Sequence, residues 1–202
     1  MIAQLKPQTA RAEPAWTPPA QGKWTDADFV KLPEDGWRYE ILRGELFMAP
    51  PPGERHQFTS SNLLVALMNF VKPRKLGRVY TAPLGVRLPR AGAIVQPDVV
   101  FVAAARAAEV IAEEGLRGAP DLIVEILSPS NWLTDRRDKF QLYQENGVRE
   151  YWIVEPQLCV AEVFVLRGNQ FTLLGRWSAG EIARSEILAG FEIALNEICG
   201  GE

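Results

Sequence analysis

The chain has 202 residues, of which 47% are hydrophobic and 23% are charged, and its formal net charge is -3. This length suits one domain with its own core, and the composition excludes fibrous, collagen-like and wholly disordered proteins. Because no apolar run approaches ~18 residues and the N-terminus lacks the pattern of a secretory signal, we expect a cytoplasmic protein that makes no membrane contact.

The N-terminal segment, residues 1–22, is predicted to be a disordered tail. It contains four prolines among Ala, Gln and Thr, and such a segment buries too little apolar surface to offset the entropy lost on ordering. Residues 23–202 are therefore expected to form a single domain. This domain begins with a short helix that Thr25 caps and that ends by Leu32.

The predicted elements that follow alternate between strands and helices. A β-hairpin is expected with strands 37–42 and 45–48 around the turn Arg43-Gly44, and residues 54–73 have the apolar spacing of a long amphipathic helix. The later elements are strands 78–81, 85–88 and 98–102, an Ala-rich helix near 103–112, strand 122–127, helix 131–146 before Gly147, and strands 150–154, 160–166 and 170–174. This order predicts an α/β (α+β) fold with a mixed central sheet flanked by helices, preceded by an N-terminal helix and a β-hairpin.

Two acidic residues occur in strands that are otherwise apolar. Asp98 opens the strand 98–102, and Glu125 lies among Val124, Ile126 and Leu127. Burial disfavours a charged carboxylate unless a cation or strong hydrogen bonds compensate. Each acid taken alone has a purely structural explanation: Asp98 can be a turn residue after Pro97, and Glu125 can accept a hydrogen bond at a strand end.

The pair of acids is more informative than either acid alone. If their strands are neighbours, the two carboxylates can lie across from each other at ~5 Å and share one divalent ion. Hard oxygen ligands of this kind suit Mg²⁺ or Mn²⁺. On the following helix, Asp135, Lys139 and Tyr143 are spaced by four and share one face. Lys139 can therefore reach back toward the carboxylates, or it can pair with Asp135 on a solvated face.

The arrangement resembles the PD-(D/E)XK nuclease superfamily, in which an Asp on one strand and a Glu-X-Lys on the next bind the metal and position a water against a phosphodiester. Here Glu125-Ile126-Leu127 has a leucine at the position of the family lysine. A leucine can neither polarise a water nor stabilise negative charge. The standard motif is therefore incomplete.

A longer pattern is similar to one branch of that superfamily, the restriction-endonuclease family formerly catalogued as a domain of unknown function. The pattern comprises Arg38-Tyr39-Glu40-Ile41-Leu42-Arg43-Gly44-Glu45-Leu46, Pro50-Pro51, His56-Gln57, Gln96-Pro97-Asp98-Val99-Val100, Val124-Glu125-Ile126-Leu127-Ser128-Pro129-Ser130, Asp135 with Lys139 and Tyr143, and Gly147-Val148-Arg149-Glu150-Tyr151-Trp152-Ile153-Val154. It extends in order over about residues 25–155. The resemblance implies that the missing lysine has moved to the helix, at Lys139.

The resemblance implies a restriction-endonuclease-like fold and Mg²⁺-dependent cleavage of DNA. Asp98, Glu125 and the backbone carbonyl of Ile126 would hold the ion, which lowers the pKa of a bound water, and Lys139 would orient that water or stabilise the transition state. Glu40 or Glu45 can add a carboxylate, with neither preferred. His56, the only histidine, lies either near the phosphate or at the start of the long helix.

Two other functions remain open from the sequence. The leucine at position 127 and the acidic net charge suit a non-catalytic nucleic-acid or protein-binding module on the same fold. The apolar strands within 160–174 suit a dimeric interaction protein. A nuclease that cuts both strands of DNA usually needs two sites, so a homodimer is expected in the catalytic case as well.

Overall fold

The computed structural model describes residues 16–128 and 134–200, with α-helices and β-strands in alternation. The helices are α1 (Asp26–Phe29), α2 (Glu54–Val71), α3 (Ala107–Val110), α4 (Phe140–Asn146) and α5 (Leu195–Cys199). A π-helical segment, Thr134–Lys139, leads directly into α4. In the described part of the chain, none of the helices combines the length and apolar character that a membrane crossing requires.

The larger sheet has six strands in the order β12-β11-β10-β9-β6-β3. Its strands are β3 (Gly77–Thr81), β6 (Val99–Ala103), β9 (Leu122–Ile126), β10 (Glu150–Glu155), β11 (Val160–Arg167) and β12 (Gln170–Trp177). The neighbours β9 and β10 are parallel and the other pairs are antiparallel. Since α4 lies on the connection from β9 to β10, it is the crossover helix that a parallel pair requires.

A second six-stranded sheet has the order β2-β1-β5-β4-β8-β7. Its strands are β1 (Arg38–Leu42), β2 (Glu45–Ala49), β4 (Val86–Leu88), β5 (Ala93–Val95), β7 (Ile111–Ala112) and β8 (Gly115–Arg117). A further pair is formed by β13 (Ile182–Arg184) and β14 (Glu192–Ala194). The expected mixed sheet with flanking helices and an N-terminal hairpin is therefore present.

The hairpin turn between β1 and β2 has the backbone conformation that its sequence predicts. Arg43 and Gly44 have φ angles of 51° and 81°, as in the type I′ turns that join antiparallel strands. A side chain at Gly44 would place its Cβ 2.7 Å from the carbonyl oxygen of Gly22. The segment before α1 therefore packs closely on the turn, and the backbone N–H of Trp24 donates to the Gly44 carbonyl at 2.9 Å.

Two apolar clusters cover the two faces of the larger sheet, as the alternation along β9 requires. Val124 and Ile126 pack against α2, α5 and the β13–β14 pair. Ile123 packs against the second sheet and α4. Glu125 alternates with Val124 and Ile126, so its side chain lies on the face covered by the second sheet and α4.

Some element boundaries differ from the prediction. The helix expected near 103–112 is a short 3-10 turn followed by α3, and its last two residues form β7 because Ile111 and Ala112 pair with β8. The helix expected over 131–146 is π-helical over Thr134–Lys139 and α-helical only from Phe140. Residues 131–133 lie outside the described part.

The N-terminal tail prediction concerns mostly residues that are not described, since description begins at Trp16. The ring of Trp16 lies 5.8 Å from that of Trp24. The side chain of Gln21 bonds to the backbone of Leu46 in β2, accepting at 2.7 Å and donating at 3.0 Å. Residues 16–22 therefore contact the hairpin, and disorder of residues 1–15 stays a prediction.

Candidate active site

Two acids lie opposite each other on neighbouring strands of the larger sheet. In the antiparallel pair of β6 and β9, Val99 faces Val124, so the next step of the register sets Asp98 across from Glu125. Asp98 is only 1% exposed and Glu125 is 0% exposed. The condition for a shared carboxylate site, that the two strands be neighbours, is therefore met.

Asp98 is surrounded by three donors from different elements. Its Oδ2 atom accepts from the backbone N–H of Ile126 at 2.7 Å and lies 3.1 Å from Nε2 of His56 in the first turn of α2. Nη1 of Arg38, at the start of β1, lies 2.8 Å from Oδ1. Arg38 and Asp98 therefore form a close ion pair.

The protonation of Asp98 reflects these contacts. Burial alone would raise its pKa, but the hydrogen bond with His56, the charge of Arg38 and the Ile126 N–H together hold the pKa below its ordinary value. The pKa of Arg38 is shifted in the opposite direction. Burial would lower the pKa of its guanidinium, and the charges of Asp98, Glu125 and Glu40 raise it above the ordinary value. The pair is therefore fully charged at neutral pH.

A second set of side chains encloses Glu125. Nζ of Lys139 lies 3.1 Å from Oε1 of Glu125 and 2.8 Å from Oε2 of Glu40 in β1. Glu40 also accepts from the backbone N–H of Gln96 at 2.7 Å. Lys139 is 1% exposed and Glu40 is 8% exposed. One buried ammonium therefore links an acid of the larger sheet to an acid of the second sheet.

Tyr143 completes this set from the first turn of α4. Its hydroxyl donates to Oε1 of Glu125 at 2.5 Å, one helical turn beyond Lys139. Burial and the negative charges of Glu125 and Glu40 raise the pKa of Tyr143 well above its ordinary value. The hydroxyl therefore stays protonated and acts as a hydrogen-bond donor that orients the Glu125 carboxylate.

The two sets differ in their access to solvent. A cavity of about 210 Å³ is lined by Arg38, His56 and Asp98 together with Trp37, Gln57 and Gln96 among others. We call Arg38, His56 and Asp98 the cavity-facing group. Glu40, Glu125, Lys139 and Tyr143 are absent from that lining and form the enclosed group.

The position of the family lysine is occupied by an apolar side chain. Leu127 is 8% exposed and belongs to the cluster that also contains Leu142 and Tyr143 of α4. The ammonium near Glu125 comes instead from Lys139, at the end of the π-helical segment. The geometry thus places a lysine beside the second carboxylate although the strand does not supply one.

Other sequence candidates are placed as follows. Glu45 is exposed at the turn end of the hairpin, where it pairs with Leu42, whereas Glu40 pairs with Phe47 further along the ladder. Only Glu40 therefore reaches Lys139. Ile126 contributes its backbone N–H to Asp98. The side chain of Asp135 lies outside the described part of the chain.

Comparison with known proteins gives a family and a fold. Residues 26–196 match the family Uma2, described as "Putative restriction endonuclease". The chain belongs to the Uma2 family. The resemblance found in the sequence is thereby confirmed, and membership supports a nuclease. No curated protein is significantly similar to the chain.

A crystal structure of a "putative nuclease belonging to DUF820" from Anabaena variabilis is similar to this Uma2 chain with a TM-score of 0.72. The likeness covers 88% of this chain and 98% of that one, at 19% sequence identity. At this identity the comparison shows the fold, and it confirms the expected fold class.

Sequence reasoning did not assign a role to Arg38. The sequence did contain an indication of this role. Arg38 and Glu40 lie on the same face of the predicted strand, and the two acids predicted to be buried needed a cation nearby. What the sequence could not supply is the contact itself, which joins β1 of the second sheet to Asp98, 60 positions later and directly before β6 of the larger sheet.

Proposed function

We propose that this Uma2 chain is a Mg²⁺- or Mn²⁺-dependent endonuclease that hydrolyses DNA phosphodiester bonds. The observation that carries the proposal is the opposed position of Asp98, directly before β6, and Glu125 on β9, with the Lys139 ammonium 3.1 Å from Glu125. Two acids and a lysine in this relation are the elements that the superfamily motif requires. The family's description as restriction endonucleases supports DNA as the substrate.

The donor set fits a hard divalent cation. Asp98 is buried and lines the cavity, and among the described residues the partner of its Oδ1 atom is the Arg38 guanidinium at 2.8 Å. The residues that would hold the ion are Asp98, Glu125 and the carbonyl of Ile126. Within residues 16–128 and 134–200, no three His, Cys, Asp or Glu side chains form a metal-binding cluster. A site of two carboxylates completed by water and substrate phosphate suits Mg²⁺, which retains several waters in proteins.

When bound, the ion would supply an activated water and neutralise charge on the scissile phosphate. The side chains of the enclosed group have complementary tasks. Lys139 is held between Glu40 and Glu125, so its ammonium keeps one position and can stabilise the negative charge that develops in the transition state. Tyr143 fixes the rotation of Glu125 through its 2.5 Å hydrogen bond.

The cavity-facing group meets the substrate. Arg38 lines the cavity with a planar guanidinium, and such a group pairs with phosphate through two parallel hydrogen bonds. Since its charge already balances Asp98 at 2.8 Å, an arriving phosphate offers Arg38 a second anionic partner. His56 and the Ile126 N–H keep the Asp98 carboxylate oriented while that exchange occurs.

The test is cleavage of supercoiled plasmid in Mg²⁺ by the wild type and by Asp98→Asn, Glu125→Gln and Lys139→Ala. Each change should lower the rate by about 100-fold or more, the size of effect seen when one transition-state partner is removed. Glu145→Gln is the matched carboxylate control, because Glu145 is half-exposed on α4 and pairs only with Arg43 among the contacts described. Lys72→Ala, at the exposed end of α2, is the lysine control.

The outcome separates three explanations. Equal nicking by all six proteins means that a contaminating nuclease cuts the plasmid, and the site assignment falls. Loss of cleavage only in the three site variants supports the proposal. Thermal unfolding of each variant, and a Lys139→Arg variant that keeps the buried charge, separate lost chemistry from lost folding.

A non-catalytic nucleic-acid or protein-binding module on the same fold is the second candidate. The observation that favours it is internal charge pairing, since Arg38 already balances Asp98 and Lys139 already balances Glu125. Binding of Mn²⁺ or DNA by the wild type without cleavage of any DNA form would favour this candidate. The homodimer and the cytoplasmic location expected from the sequence stay predictions, and sedimentation of the purified chain tests the former.

A further inference from the structure

A tryptophan stands between two cavities beside the candidate site. Trp37 precedes Arg38 in the chain and is 46% exposed. It lines the 210 Å³ cavity that reaches Asp98, and it also lines a neighbouring cavity of about 640 Å³. Pro83 and Gln96 line both cavities as well. Trp37 therefore borders both the cavity at the carboxylate site and the larger one beside it.

The backbone at Trp37 is held in place by hydrogen bonds to the Asp35 side chain. The Asp35 carboxylate accepts from the backbone N–H of Trp37 at 3.1 Å and from the hydroxyl of Tyr39 at 2.8 Å. Tyr39 is itself 7% exposed. The exposed indole is thus presented by a fixed main chain, so that little backbone ordering remains for a ligand to bring about.

The larger cavity has the size and lining of a site for an aromatic ligand. Its volume lies within the range of roughly 300–1,000 Å³ that small-molecule sites occupy. Phe29, Leu32 and Tyr39 are among its apolar and aromatic lining residues, and Gln96 has an amide with both donors and an acceptor. Two charged residues, Glu34 and Arg87, also line it, and Arg87 is paired with Asp26 at 2.7 Å. Arg38 lines the adjoining cavity, where its positive charge can bind an anionic group. A planar, polar-edged ring joined to a phosphate matches this combination.

We propose that Trp37 stacks on a nucleobase of the DNA strand whose phosphate lies at Arg38 and Asp98, and that the larger cavity receives that nucleoside. This inference rests on the proposed function and names the form of its substrate. Every base has a π-face, so stacking on an aromatic side chain tolerates any sequence. A base inside a duplex is already stacked on its neighbours and reaches Trp37 only after extrusion, so the site favours single-stranded or frayed DNA.

The proposal is tested by binding, without metal, of a fluorescently labelled twelve-residue oligothymidylate to the whole chain. Stacking contributes about 1–3 kcal/mol per base by alanine substitution, so Trp37→Ala should weaken binding by about 5- to 150-fold. Trp37→Phe, which keeps an aromatic face, should retain most of the affinity. Phe58→Ala is the control, because Phe58 is 43% exposed and lines neither of the two cavities.

Two further readouts exclude a merely structural effect. Stacking quenches indole fluorescence, so the quench on adding the oligonucleotide should be larger in the wild type than in Trp37→Phe. A blunt-ended duplex of two complementary strands, which has no unpaired loop, should bind with an affinity that does not depend on Trp37. Equal loss for single strand and duplex, or equal binding by Trp37→Ala and wild type, would overturn the proposal.

The failure of this inference can be told apart from failure of the proposed function. Binding that depends on Trp37, with no cleavage by any protein, keeps the stacking site and removes the nuclease. Cleavage of single-stranded DNA that is the same for Trp37→Ala and wild type keeps the nuclease and removes the stacking site. If both hold, Trp37→Ala raises KM for single-stranded DNA and leaves kcat close to that of the wild type.

Discussion

The enclosed group and the cavity-facing group each pair a cation with a carboxylate, yet their surroundings differ. Lys139 and Glu125 are 1% and 0% exposed, and their neighbours Glu40 and Tyr143 border no part of the cavity that reaches Asp98. Arg38 retains 14% side-chain exposure and borders that cavity. A charge that loses its partner in the enclosed group is solvated at greater cost than one in the cavity-facing group, because it does not border that cavity.

This difference assigns different tasks to the two cations. The Lys139 ammonium joins the two sheets through Glu40 and Glu125, so moving it would leave two buried carboxylates facing each other. Arg38 can change partners at lower cost, because water or a phosphate can take up the charge it leaves. We therefore expect the enclosed group to dominate stability and the cavity-facing group to dominate substrate binding.

The largest expected effect is that of Lys139→Met. Removal of one member of a buried ion pair leaves an uncompensated charge and costs about 3–5 kcal/mol of unfolding free energy. Urea unfolding at pH 7 measures this loss, and a Glu40→Gln, Lys139→Met double variant should recover part of it by removing one of the two acids. A loss of stability no larger than that of Lys72→Ala would contradict the distinction between the groups.

The next effect is that of Tyr143→Phe, which removes the hydroxyl that donates to Glu125 at 2.5 Å. A hydrogen bond to a charged group contributes about 1.5–3 kcal/mol, so unfolding free energy should fall by that amount at pH 7. The folded pKa of Tyr143 is raised, so the wild type loses stability as pH rises above about 10, where an unfolded tyrosine ionises. Tyr143→Phe should flatten this alkaline decline; an unchanged slope would mean that Tyr143 ionises as freely in the folded state.

The parts of the site that the sequence predicted are those that depend on local sequence pattern, and the parts that it missed depend on tertiary contacts. Alternation along β9 and the proline before Asp98 predicted that the two acids could lie opposite each other on condition that their strands are neighbours, and that adjacency came only from the structure. The choice between Glu40 and Glu45 depended on which end of the hairpin approaches the helix. That is a tertiary contact without a local signal.

Two other features were beyond sequence reasoning for physical reasons. The reach of Lys139 depends on the π-helical segment Thr134–Lys139, which has a wider turn than the spacing of four assumed for an α-helix. The strands β5, β7 and β8 contain two or three residues each, too few for a periodicity to be recognised. Of these strands, β5 pairs with β1, the strand that begins with Arg38.

The smallest of the three effects concerns Arg38→Met and its dependence on pH. The pKa of Asp98 is lowered in the folded state, so its contribution to stability is present above the unfolded pKa of about 3.9 and is lost as pH falls through the folded pKa. Without Arg38 the folded pKa rises, and each unit of that rise removes about 1.4 kcal/mol at neutral pH.

Urea unfolding of the Arg38→Met variant and of the wild type at several values between pH 7 and pH 3 tests this expectation. The stability difference should be largest near pH 7 and should shrink toward acid, because Asp98 becomes protonated at a higher pH in the variant than in the wild type. A difference as large as that of Lys139→Met and independent of pH would place Arg38 with the enclosed group. A small difference that fades with acid, together with weaker DNA binding at neutral pH, fits a cation that exchanges Asp98 for the phosphate of a substrate.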